Sequence, residues 1–154
     1  MARSTSSWRE FQVLHKLEFD SVIRGYHAYM NEWSAVIGTK LSSAPDSRTE
    51  ALAYDQTAVG VYHEDTLIGH VPWELSKLVH QFITKEGNRL VVEVTGKRKR
   101  EVGLVLPAKY TVYTKQKIHA LVFSDKLSKI QDKLGVEINF TPVNESHAFA
   151  VYDL

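Results

Sequence analysis

Apolar residues along the chain fall into short runs separated by turn chemistry, and the period of those runs alternates between strand and helix. From Phe11 to Tyr29 the β-branched and aromatic residues Val13, Leu17, Phe19, Val22, Ile23, Tyr26 and Tyr29 predict one long or bent strand, with Gly25 permitting the bend. Trp33 to Leu41 predicts a second strand, and Ser42 to Glu50, with Pro45, Asp46 and Ser47, a polar loop. Ala58 to Tyr62 and Thr66 to Ile68 flank His63-Glu64-Asp65 as the arms of a hairpin. The spacing then turns helical: Leu75, Leu78, Val79 and Phe82 share one face, Pro72 suits a first turn, and Glu74 sits where the helix dipole favours an anion. A helix is expected from Pro72 to Thr84, broken by Gly87-Asn88.

Strand character returns at Arg89 to Val94, and Gly96 to Arg100 is polar enough for a turn or loop. Val102 to Leu106 and Tyr110 to Tyr113 read as strands divided by Pro107. After the apolar run Leu121-Val122-Phe123, Ser124 suits the cap of a second helix in which Leu127, Ile130 and Leu134 share a face and which Gly135 ends. Lys126, Lys129 and Lys133 fall on another side of it. Val136 to Phe140 adds a strand. There are no repeats or heptads. About six strands or more with two helices is an α+β or small β-barrel arrangement. Residues 1–10 read as a flexible Ser-rich leader, 11–140 as the domain, and 141–154 as a tail in which Phe149, Val151 and Tyr152 offer pairing positions.

Composition changes this picture little, but it removes function classes. At 154 residues with 44% hydrophobic and 24% charged, the chain suits a single globular domain. With no cysteine it has no disulfide framework, thiolate metal site or cysteine nucleophile. No apolar run approaches the roughly 20 residues of a membrane helix and no signal-peptide core is present, so a soluble, intracellular protein is expected, nuclear if its source is eukaryotic.

Charge changes it more. Residues 1–83 carry 7 basic and 10 acidic side chains, 84–133 carry 12 and 5, and 134–154 carry none and 3. A cationic middle in a balanced chain is what a phosphate-binding surface produces, and it is also what a solvated basic face produces. Within it, Lys97-Arg98-Lys99-Arg100 reads as a phosphate contact, an import signal or a plain hairpin tip.

Catalytic patterns are absent. No Gly-rich phosphate loop, dinucleotide fingerprint or Gly-x-Ser-x-Gly elbow occurs, so the chain is not expected to be an enzyme and no cofactor is implied. His63, Asp65 and His70 invite a metal hypothesis, but their spacing matches no standard ligand set and no metal is assigned. The two Asn-x-Ser/Thr sequons, at Asn139 and Asn144, read as chance in a chain without a secretory signal.

One constellation remains: Val22-Ile23-Arg24-Gly25-Tyr26-His27-Ala28-Tyr29, then Tyr54-Asp55-Gln56-Thr57-Ala58-Val59, then Ile68-Gly69-His70-Val71-Pro72. Its order and spacing, over roughly Leu17 to Tyr113, resemble the HIRAN domain. The resemblance implies an OB-like barrel of about six strands with two helices that binds the 3′-hydroxyl end of single-stranded DNA in a DNA-repair setting, with RNA as the alternative strand. It implies a site in which Asp55 accepts from a 3′-hydroxyl and repels a 3′-phosphate, Tyr54 and Tyr29 stack the terminal base, and His27 and His70 lie beside its phosphate. Lys97, Arg98, Lys99 and Arg100 would track the backbone. The chain departs from the family pattern at His27-Ala28, where Arg-Tyr is usual, and at Ala53, Thr57 and Trp73. A structural role competes at each position: Tyr54 as a core aromatic, Asp55 as a turn former, His70 as a helix cap, Trp73 as a barrel plug. The rival function is a protein-interaction adapter on the same barrel, its partner held by the C-terminal tail or the helix faces.

Overall fold

In a computed structural model of the chain, the residues described are 14–25, 36–48, 55–101, 103–134 and 140–141. Eight strands form one antiparallel sheet: β1 (His15–Arg24), β2 (Lys40–Pro45), β3 (Val59–His63), β4 (Thr66–His70), β5 (Arg89–Val94), β6 (Lys99–Glu101), β7 (Gly103–Thr114) and β8 (Phe140–Thr141). Six of them close on themselves in the order β7-β5-β2-β3-β4-β1 and back to β7, while β6 and β8 extend the edges of β7 and β1. Closure rests on the long β1–β7 ladder, from His15 opposite Thr114 to Arg24 opposite Val105. The result is the expected small β-barrel of six strands with two helices, α1 (Trp73–Ile83) and α2 (Lys117–Leu134).

Alternation along the strands fills the barrel. Leu17, Phe19 and Ile23 of β1 point inward, as do Leu90, Val92 and Val94 of β5 and Leu106, Ala108, Tyr110 and Val112 of β7. Tyr110 is fully buried, and its hydroxyl donates to the Val22 carbonyl at 2.6 Å, so the polar atom at the centre is satisfied. The same burial pushes its phenol pKa well up. α1 lays Leu75, Leu78, Val79 and Phe82 against β2, β3 and β5, as the spacing predicts. α2 packs on β1, β7 and α1 through Phe123 and Leu127.

Several expectations fail. The second strand runs from Lys40 to Pro45, so Ser42 to Pro45 of the expected loop is ladder, paired with Val59 to Tyr62. Of the expected strand residues before it, Val36 and Ile37 are exposed in a turn that Gly38 closes with a φ of 95°. Pro107 does not divide β7. It lies opposite Val22 of β1, and on its other side its carbonyl accepts from the Thr95 N–H at 3.0 Å, just past the last β5 pair, so its missing N–H removes at most one bond, at the frayed end of that ladder. The loop expected at Gly96 to Arg100 gives way at Lys99 to β6.

The second helix begins at Lys117 rather than at Ser124, after a turn in which the Thr114 hydroxyl accepts from the Gln116 N–H at 3.0 Å. Ala120, Phe123 and Leu127 are its buried stripe, so the run Leu121-Val122-Phe123 is one inward residue beside two outward ones. Ser124 lies mid-helix, its carbonyl accepting from the Ser128 hydroxyl. The expected strand at Val136 is described only at Phe140–Thr141, and the leader and the tail beyond Thr141 lie outside the described residues.

Candidate functional site

Four chain segments meet at one end of the barrel. β1 ends at Arg24 and Gly25, the turn before β3 carries Asp55 and Ala58, β4 ends at His70 and Val71, and α1 opens with Trp73. These seven residues line a cleft of about 270 Å³. Pairing fixes their order, because His70 lies opposite Arg24 on one side and Gly60 on the other. Gly25 leaves the strand with a φ of 75°, which an L side chain rarely adopts, and a Cβ there would face His70 Nδ1 at 3.9 Å. Glycine is therefore favoured here by its backbone conformation and not by lack of space.

Asp55 ties the turn to α1. Its Oδ1 accepts from the Thr57 N–H and hydroxyl, both at 2.9 Å, and its Oδ2 accepts from the Ser76 hydroxyl at 2.5 Å. Burial pushes its pKa up, but the bonds from Ser76 and Thr57 outweigh this and the carboxyl titrates below its usual value. It is thus an anion at neutral pH. Three of about four lone-pair sites are occupied, leaving one for a ligand.

His70 is held from behind. Its Nε2 lies 2.6 Å from Asp46 Oδ2, and the Asp46 side chain is only 1% exposed. The Arg48 guanidinium and backbone N–H clasp the same carboxylate at 3.0–3.2 Å. Burial raises the Asp46 pKa, yet the hydrogen bonds from Arg48 and His70 bring it down to about 2. A carboxylate facing Nε2 places the imidazole proton there and fixes the ring plane. Because folded Asp46 binds a proton less readily than unfolded, the unfolded chain holds more protons between about pH 4 and pH 2. The stability from this clasp is therefore complete above about pH 4 and is lost as pH falls toward 2. In urea unfolding from pH 2 to 6, wild type is expected to gain on the order of 2 kcal/mol that Asp46→Asn does not.

Arg24 supplies the cation. Its Nη2 stands 3.7 Å from Glu74 Oε2, while its Nε is buried with no hydrogen-bond partner. A buried donor left open costs about 1–3 kcal/mol unless something fills it. Beside it, Trp73 is 70% exposed at the first position of α1, on the side opposite the buried face. An orphan guanidinium N–H, a carboxylate, an oriented imidazole and a bare indole around an apolar floor suit a ligand with a flat ring, a phosphate and a hydroxyl.

Of the residues singled out in the sequence, Asp55 and His70 thus share the cleft. Tyr29, His27 and Tyr54 lie outside the described residues. Lys97 and Arg98 are exposed on the approach to β6. Lys99 pairs with Val105 and Val105 with Arg24, which puts β6 two strands, roughly 10 Å, from Arg24. For Lys99 and Arg100 only the backbone, in β6, is described. His63 and Asp65 sit at the tip of the β3–β4 hairpin and His70 at its far end, so the metal hypothesis loses its third ligand. Sequence reasoning assigned no role to Arg24, Asp46 or Ser76 and took Trp73 for a plug. Only Trp73 carried a signal, since it falls off the helical stripe of Leu75, Leu78, Val79 and Phe82.

No family model and no curated protein matches the sequence. Among solved structures, the crystal structure of the HIRAN domain of human HLTF superimposes with a TM-score of 0.59 over 75% of this chain and 92% of that one, at 16% sequence identity. The fold is that of a HIRAN domain. The barrel-and-two-helices arrangement that the residue constellation implied is therefore present, and the likeness covers nearly all of the solved domain. At this identity the likeness is one of architecture.

Proposed function

We propose that the chain is a nucleic-acid-binding module whose cleft takes the 3′-terminal nucleotide of a single strand. The observation that carries this reading is that Arg24, whose buried Nε has no hydrogen-bond partner, lines one cleft with Asp55 and the exposed Trp73. Arg24 meets the terminal phosphodiester, and the last lone pair of Asp55 accepts from the 3′-hydroxyl. His70 Nε2 is committed to Asp46, and so the phosphate falls to Arg24. Trp73 takes the stacking role that the family pattern gives to other aromatics, which offsets the ring missing at Ala28. The HIRAN fold and the resemblance in the sequence support the same reading, and Lys97 and Arg98 stand near the cleft as further cations.

A labelled oligonucleotide ending in a 3′-hydroxyl is expected to bind at least tenfold more tightly than its 3′-phosphate twin, because the phosphate brings like charge against Asp55. Asp55→Asn is expected to bring the two affinities together. Equal affinity in wild type would remove the end-binding role. A second reading, a protein-interaction adapter, is favoured by Ile118, Leu121 and Val122, exposed at i, i+3 and i+4 on α2. It requires that oligonucleotides show no salt-sensitive binding.

A further inference from the structure

Glu74 stands between two depressions. It pairs with Arg24, which lines the cleft, and it lines a groove of about 420 Å³ between α1 and α2. Leu78 and Ile130 form the floor of that groove, and Lys77, Lys126 and Lys129 stand along its rim with Gln81. From Glu74 to Gln81 the α1 side of the groove spans about 10 Å, beginning one residue after Trp73. The charge of Glu74 is met by Arg24. The Lys126 ammonium reaches across to Gln81 Oε1 at 3.4 Å, and Lys129 holds Asp125 at 3.2 Å with both side chains mostly exposed, an arrangement that holds each lysine only weakly. An apolar floor with cationic edges, joined to the cleft by the Arg24–Glu74 pair, matches the way single strands are tracked: phosphates on lysines, bases against apolar surface.

Building on the cleft reading above, we propose that the strand leaving the cleft runs toward its 5′ side along the α1–α2 groove, its phosphates held by Lys77, Lys126 and Lys129. The groove commits to a polyanion with a regular charge spacing and does not itself discriminate between bases.

The test compares a 3′-hydroxyl dinucleotide, which fills the cleft alone, with a decanucleotide of the same 3′ end. Wild type is titrated against the triple variant Lys77→Gln, Lys126→Gln, Lys129→Gln and against Lys97→Gln, Arg98→Gln, all of these side chains being exposed. The groove variant is expected to bind the dinucleotide as wild type does and the decanucleotide several-fold more weakly. Its plot of log affinity against log salt should flatten by about 0.7 for each phosphate that a lysine no longer neutralises. The proposal is overturned if the groove variant keeps the wild-type slope, if only the Lys97/Arg98 variant moves it, or if wild type binds both lengths equally. It is also overturned if polyglutamate displaces the decanucleotide at equal charge, which would make the groove an acidic-peptide dock. Failure of wild type to bind either oligonucleotide would instead overturn the cleft reading, and this one with it.

Discussion

Phe123→Ala is expected to lower the unfolding free energy by about 3–5 kcal/mol, the usual cost of truncating a buried phenylalanine. Its ring is 1% exposed and packs 5.1 Å from Phe82 of α1 and 6.0 Å from Phe19 of β1, so one side chain joins both helices to the barrel. Against a typical total of roughly 5–15 kcal/mol the loss is a large fraction. Thermal unfolding of the variant should fall by roughly 6–20 °C. Val122→Ala, one position earlier on the same helix and exposed, is expected to stay within about 0.5 kcal/mol of wild type. Similar losses at the two positions would mean that α2 is not seated as described.

The largest effect on binding is expected at Trp73. Truncating an aromatic platform costs about 1–3 kcal/mol per stacked base, so Trp73→Ala should weaken a 3′-hydroxyl oligonucleotide by roughly 5- to 150-fold. The ring is 70% exposed and off the core face of α1, so stability should change little. Trp73→Phe keeps a smaller π-face and should recover most of the affinity, which a role in shape alone would not require. Affinity unchanged in Trp73→Ala, read by fluorescence anisotropy with melting temperature as a control, would leave the cleft without its stacking surface.

These two residues also show where the sequence was legible. The helical face of Leu75, Leu78, Val79 and Phe82 and the β3–β4 hairpin were plain because burial follows a fixed period in each. Phe123 was visible as apolar but was placed before the helix, since two outward neighbours, Leu121 and Val122, hid its 3.6-residue spacing. Pro107 looked like an interruption because only the tertiary pairing reveals that its missing donor falls at the end of the β5–β7 ladder, where one bond at most is lost. In the site, Asp55 and His70 were found through a family-like constellation. The Asp46–His70 contact was not, because it joins residues 24 apart across β3, between the ends of β2 and β4, and leaves no local pattern. Arg24 lay inside the same constellation, but the openness of its Nε is a property of packing, not of residue type.

The most direct test of the central claim maps where a short 3′-hydroxyl trinucleotide touches the protein, by following backbone amide resonances of the ¹⁵N-labelled chain during titration. Among the described residues, the account predicts that the largest shifts fall on residues 24–25, 55–58 and 70–74, where the cleft is lined, with smaller ones along α1 toward Gln81. Shifts confined to the opposite hairpin tip at His63–Thr66, or to no residue of the cleft at all, would contradict it.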